Sequence, residues 1–285
     1  MFVRELVSGE FGRASNALAD AAEGVVVDPR LRATGHALLE VENVRLGYPV
    51  GDSFHVAVAS ASFEVEARRR VIVIGRSGCG KSTLLKAVAG FVSPVDGTIA
   101  VAGRTSLAPG PDRAFVFQEF DQLFPWRTVL DNVAYPLRVN GRSRRAAAAV
   151  AREFLELTGL TGAADRYPYQ LSGGMKQRAA IARALALEPS VLLMDEPFGA
   201  LDAITRQQLQ AELNQIVART HVSLLFVTHS IEEALVLGDR VVVLAGAPSS
   251  VADIVTVGDT DDDETASRLR ALLAADSEDA DGDGR

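Results

Sequence analysis

The run VIVIGRSGCGKSTLLKAVAGF, residues 71–91, constrains this chain more than any other feature. VIVIG is a short, continuously apolar stretch of the kind that fills a buried parallel strand, and KSTLLKAVAGF has a helical pattern. The glycine-rich turn between them fits G-x-x-x-x-G-K-[ST], and its place between strand and helix is the context that pattern requires. Gly75, Gly78 and Gly80 let the backbone wrap closely. Successive N–H groups of Arg76, Ser77, Gly78, Cys79 and Gly80 can then point at phosphate oxygens, helped by the dipole of the helix that follows. Lys81 is expected across the β- and γ-phosphates, Ser82 offers a hydroxyl to magnesium, and Thr83 lies near the α/β-phosphates. The chain has 26 Arg but only three Lys. A compact ammonium therefore stands where a guanidinium fork would not fit the tight loop.

VLLMDEP (191–197) supplies complementary chemistry. Four apolar residues bury a strand, and Asp195 emerges at its carboxyl end, positioned to hold magnesium through water. Glu196 follows and can accept a proton from an attacking water. These two motifs together specify a nucleotide-hydrolysing P-loop fold without saying what it serves.

The rest of the chain fits an α/β core. LLEVENVRL, VAVASASFEVE, TIAVAG, AFVF, SLLFVTH and VVVLAG read as further strands. A helical block over about 128–187 interrupts the alternation, so the reading is a parallel sheet with an inserted helical lobe. Residues 1–36 are expected to be a loose extension, with at most a short amphipathic helix through Phe2, Val3, Leu6 and Val7. APSSVADIV, after VVVLAG, reads as an irregular remnant of closing strands. From Asp259 onward ten Asp/Glu face three Arg, which is expected to be a solvated acidic tail. DADGDG (279–284) imitates the start of a calcium loop, but the sequence ends before the twelfth-position Glu. With the tail set aside, the net charge of −8 leaves a nearly neutral body, which argues against a nucleic-acid surface. No apolar run approaches the ~20 residues of a membrane span. MFVRELVSGEFGR has no signal-peptide core, so the chain is expected in the cytoplasm. Cys79, the single cysteine, forbids an internal disulfide and any multi-cysteine metal site.

LSGGMKQ (171–177) resembles a second phosphate cradle. Ser172 has the chemistry of a helix N-cap, and Gly173 and Gly174 permit close approach to the first free N–H groups. It has no invading lysine and no preceding buried strand, so it does not bind a nucleotide unaided.

With Tyr48, GRSGCGKST, Gln118, LSGGMKQ, VLLMDEP, FGALD (198–202) and His229 in this order, the chain from about Leu38 to Gly246 resembles the ATP-binding cassette family. The resemblance implies a RecA-like P-loop core with an antiparallel β subdomain and an inserted helical subdomain at about 119–187. The cassette would span 37–258, flanked by the N-terminal extension and the 259–285 tail. It also implies a head-to-tail pair of cassettes in which Ser172, Gly173, Gly174 and Gln177 cover the partner's ATP. Tyr48 resembles the aromatic that stacks on adenine. Gln118 resembles the glutamine that senses magnesium and the attacking water, and Ser82, Gln118 and Asp195 would be the magnesium set. His229 resembles the switch histidine that orders Glu196, and Asp202 belongs to the loop coupling the two sites. Two departures stand out. EARRR (66–70) occupies a turn where Glu and Gly are usual, and Arg76 stands where Pro is common.

Three uses compete: a transporter ATPase, a soluble cassette acting on DNA or ribosomes, and a kinase or GTPase. LSGGMKQ disfavours the last. The second usually needs a coiled-coil insertion or tandem cassettes, which 285 residues do not hold. Exposed aromatics Phe120, Phe124 and Trp126, directly after Gln118, suit a cleft for a separate permease. The absence of a fused membrane domain favours an importer on the inner face of the membrane, with a solute-binding protein as an indirect partner. FPWRTVLDNV, YPYQLSGGMKQRAAIARAL and MDEPFGALDAITR resemble the nitrate, sulfonate, taurine and bicarbonate importer group.

Overall fold

The computed structural model describes residues 37–51, 53–105, 108–119 and 122–282. The extension at 1–36 and Phe120 lie outside the described residues. Among the described residues nine strands form one sheet: β1 (Ala37–Val50), β2 (Ser53–Glu66), β3 (Arg70–Gly75), β4 (Asp96–Val101), β5 (Arg113–Val116), β6 (Val191–Asp195), β7 (Ser223–Thr228), β8 (Arg240–Gly246) and β9 (Ser249–Thr256). Their spatial order is β4-β1-β2-β9-β8-β3-β7-β6-β5. β8, β3, β7, β6 and β5 run parallel. β4, β1 and β2 are antiparallel, and β9 joins the two halves, parallel to β2 and antiparallel to β8.

The parallel strands are apolar through their middles because both faces are covered. Ile72, Ile74, Leu192, Met194, Leu224 and Phe226 face one core, and Val71, Val73, Leu193, Leu225 and Val227 face the other. This follows from the two-residue side-chain period of a strand. The second core is closed by α1 (Lys81–Val88) through Leu84, Leu85 and Val88. The first is closed by α2 (Val129–Val139), α3 (Arg144–Leu157), α4 (Gly173–Leu185), α5 (Ala203–Thr220), α6 (Ile231–Leu237) and α7 (Asp262–Gly282). Thr128, Ser143, Ser172, Asp202 and Ser230 cap α2 to α6, each side chain accepting from a backbone N–H three residues on. Each such cap is worth about 1 kcal/mol.

Two expectations give way here. The segment APSSVADIV is no remnant: β9 is a strand that pairs on both sides, with a shift of register in each ladder. Nor is the stretch after Asp259 simply solvated. Residues 262–282 form α7, whose Ala266 and Leu269 are buried against the sheet, with Leu272 and Leu273 packed beside them. This apolar stripe recurs at helical spacing. Asp262, Asp263 and Glu264 occupy the first turn, where negative charge suits the helix dipole. The charge count had masked the stripe.

Candidate active site

β3, β5, β6 and β7 all end at one edge of the sheet, and the predicted chemical residues leave from those ends. In such open sheets ligands bind outside the carboxyl ends of the strands. The register puts Ile74 beside Thr228 and Asp195 beside Val227. Gly75, Glu196 and His229 are therefore the next residues out along three adjacent strands.

Two glycines of the loop, Gly75 and Gly80, are sterically required. A β-carbon on Gly75 would lie 2.6 Å from Cys79 Sγ, and one on Gly80 would lie 2.8 Å from Val58 Cγ2. Gly80 also has φ of 92°, which glycine alone adopts freely. Lys81 is buried, and its Nζ donates to the carbonyls of Gly75 (2.9 Å) and Arg76 (2.8 Å), so the lysine holds its own loop closed. Arg76, Ser77 and Gly78 are exposed, while Cys79, Gly80, Ser82 and Thr83 are half-buried.

Ser82 Oγ donates to Asp195 Oδ1 at 2.8 Å. Asp195 is buried, and that burial raises its carboxyl above the ordinary range. The Ser82 hydrogen bond and the charges of Lys86 and Lys81 oppose the rise, while Glu196 adds to it. A buried carboxylate beside a hydroxyl suits a hard cation, which would offset the desolvation.

Glu196 has φ of 39°, a left-handed conformation that is uncommon outside glycine. The turn is held by Glu196 N donating to Val227 O and Gly199 N donating to Glu196 O. Below it, Phe198 is fully buried beside Phe226, with ring centroids 5.7 Å apart. Glu196 Oε2 meets His229 Nδ1 at 3.0 Å, and Oε1 lies 3.8 Å from Lys81 Nζ. Gln118 is exposed at the end of β5. A β-carbon on Gly199 would be 3.9 Å from Gln118 Nε2 and 4.0 Å from Glu196 Oε2, so amide and carboxylate border the same glycine.

Lys81, Ser82, Asp195, Glu196 and His229 thus form one bonded cluster with Gln118 at its margin. None of its hydrogen bonds or ion pairs reaches Ser172, Gly173, Gly174, Gln177, Asp202 or Tyr48. Ser172 accepts from Met175 N at 3.4 Å. A β-carbon on Gly174 would lie 3.0 Å from Thr205 Cγ2, so that glycine also lets α4 and α5 approach. Asp202 accepts from Thr205 N at 3.0 Å, and these local bonds hold its carboxyl below the usual range.

Gln177 departs from expectation. It has no exposed surface, and neither amide atom has a partner among the described residues. It shares the inward face of α4 with Ala180, Ile181 and Ala184, so its place in the helical period directs it into the protein and away from a partner's nucleotide.

Some neighbours of the site were not legible. A groove of about 600 Å³ runs beside the glycine loop, with Phe54, His55 and Ser249 among its lining residues. Tyr48 lies opposite His55 across the β1–β2 ladder, with ring centroids 5.2 Å apart. Ser249, fully buried, donates to Cys79 O and ties β9 to the loop. A sequence does not announce a cross-strand register.

Residues 58–199 match the family described as ABC transporter. The bicarbonate transport ATP-binding protein of a Synechocystis species is 45% identical over 224 residues, which is 78% of this chain and 79% of that one. The chain belongs to the ABC transporter family. The taurine import ATP-binding protein of Rhizobium johnstonii is 52% identical over 195 residues, 68% of this chain and 74% of its own. A dimeric ATP-binding cassette in a post-hydrolysis state, bound to ADP and Pi, superposes with a TM-score of 0.69 at 30% identity, covering 78% of this chain and 100% of that structure. This ABC chain is an ATPase, and the alternative of a cassette acting on DNA or ribosomes finds no support among these relatives. No helix of the described residues is long and apolar enough to cross a membrane.

Proposed function

We propose that this ABC ATPase works as a pair of cassettes that drives a separate membrane permease to import nitrate, a sulfonate, taurine, bicarbonate or a similar small solute. The cluster of Lys81, Ser82, Asp195, Glu196 and His229 carries the proposal, because one edge of the sheet gathers a glycine loop, a buried carboxylate bonded to a serine, and a second carboxylate set between a lysine and a histidine. The names of the bicarbonate and taurine relatives support the direction of transport and the class of cargo.

In this reading the N–H groups of Arg76 to Gly80 cradle the phosphates and Lys81 turns its ammonium to the β- and γ-phosphates. Glu196 accepts a proton from the water that attacks the γ-phosphorus in line with the leaving oxygen. Since ionised Glu196 can only accept, His229 donates through Nδ1 and fixes the carboxylate's orientation. Ser82, Asp195 and Gln118 would hold magnesium, which when bound neutralises phosphate charge. Tyr48, supported by His55, is assigned to adenine. Ser172, Gly173 and Gly174 cover the partner's nucleotide, and Asp202 couples the two sites. Trp126, 70% exposed, with Phe124 at 5.5 Å, offers the permease an aromatic patch. Arg183 braces that patch from beneath by donating to Gln122 O at 2.7 Å. Such a subunit sits on the inner face of the membrane and depends on a binding protein outside to capture cargo.

Turnover per chain, followed while the protein is diluted, tests the paired site. It is expected to fall steeply as chains separate. A rate per chain that does not change with dilution would overturn the reading.

A further inference from the structure

The arginine turn EARRR remains unexplained by ATP hydrolysis. It lies at the opposite edge of the sheet from the glycine loop, between β2 and the amino end of β3. Arg68, at its centre, has φ of 64°. Glycine would occupy that conformation without strain, whereas an L-residue there is retained against a conformational penalty. Two of the three arginines are engaged. Arg70 grips Asp239 and donates to Asn214, and Arg69 lies 3.7 Å from Glu66. The exposed Arg68 guanidinium has no ion-pair partner among the described residues, and only its backbone N–H is held, by Ser223 Oγ at 2.8 Å.

Arg68 lines a cavity of about 360 Å³, within the ~300–1,000 Å³ of small-molecule sites. The walls come from three parts of the molecule. Leu38 and Arg68 belong to the antiparallel strands and their turn, Phe154 and Leu185 to the helical lobe, and His221 and Ser223 to the junction of α5 and β7. Two further wall residues, Glu188 and His221, are also left-handed, at φ of 52° and 54°. Three of the non-glycine residues with positive φ therefore surround one cavity. Glu188, the carboxylate on its wall, has Arg142 3.7 Å away to take up its charge.

We propose that this cavity is a binding site for a small organic anion with an apolar body. Its carboxylate or sulfonate pairs with Arg68, its polar edge meets Ser223 and His221, and its body rests on Leu38, Phe154 and Leu185. A ligand there touches the strand lobe, the helical lobe and the core at once. It also touches the far ends of α4 and α5, whose near ends carry Ser172 and Asp202.

The test uses 8-anilinonaphthalene-1-sulfonate, an apolar body bearing one sulfonate, titrated by fluorescence into the full chain with saturating ADP filling the nucleotide site. Saturable binding to one site per chain is expected. Arg68→Gly removes the guanidinium and relieves the backbone, so it should weaken that binding about tenfold or more, the worth of a charge-assisted hydrogen bond. Its thermal midpoint should not fall, which separates loss of a site from loss of the fold. Absence of saturable binding to the native chain, or equal affinity in a folded Arg68→Gly variant, would overturn the proposal.

Discussion

Glu196 and His229 meet at 3.0 Å although they leave two different strands, β6 and β7. Asp195 and Val227 are paired in the parallel ladder, which sets Glu196 beside Thr228 and within one residue of His229. Glu196 is also turned by its left-handed backbone so that one carboxylate oxygen faces the imidazole and the other faces Lys81. A positioned base of this kind contributes about 10²–10⁴-fold to rate. Glu196→Gln should bind ATP but turn it over at least roughly 100-fold more slowly, and accumulate as an ATP-dependent pair on size exclusion. His229→Ala should lower kcat with little change in nucleotide affinity, because it removes the group that orients Glu196 and leaves the cradle intact.

The buried carboxyl of Asp195 makes a pH prediction with a definite sign. Its folded-state pKa is raised, chiefly by burial. Between the ordinary aspartate pKa and that raised value the folded chain holds more protons than the unfolded chain, so this residue's contribution to stability falls as pH rises. Asp195→Asn should therefore be more stable than the native chain to urea at neutral pH. The difference should shrink as pH is lowered through the window toward the ordinary value. ATP turnover should be lost in the same variant. A variant less stable than the native chain at neutral pH would contradict the argument.

What the sequence displayed most clearly were features set by local chemistry. The glycine loop, the VLLMDEP strand end and the Ser172 cap are each fixed by a few adjacent residues whose types admit few conformations. Features made by pairing distant segments were hidden. His55 reaches the loop-side groove only through the register opposite Tyr48, and Ser249 reaches Cys79 only because β9 enters the sheet between β2 and β8. Gln177 was misplaced for a related reason. Ser172 in the signature is exposed, but three residues beyond Gly174 the helical period has turned inward.

A second buried carboxylate supports the site from behind. Glu233 accepts from Thr228 Oγ1 at 2.5 Å through one oxygen and from Gln210 Nε2 at 3.2 Å through the other, and its own N–H is held by Ser230 Oγ. Thr228 and Ser230 flank His229, so this network fixes the turn that carries the histidine. Glu233→Ala leaves buried polar groups unpaired and should destabilise the chain by about 1–3 kcal/mol in urea unfolding. It should also lower kcat, while Glu233→Gln, which keeps one acceptor, should recover part of both losses. Unchanged stability in the alanine variant would remove the network from this role.

The helix α7 is where composition and pattern pointed in opposite directions. Its acidic residues suggested a tail, yet Leu269 is fully buried among the sheet-facing residues, and Arg268 reaches back to Asp253 at 2.7 Å. The ion pair is solvated and contributes at most about 1 kcal/mol. The leucine removes a whole side chain from water and fills space that nothing else occupies. Leu269→Ala should therefore cost about 2–5 kcal/mol, and Arg268→Ala well under half of that. Equilibrium unfolding of the two variants separates the views: if α7 were merely a solvated extension, both substitutions would leave the urea midpoint where it is.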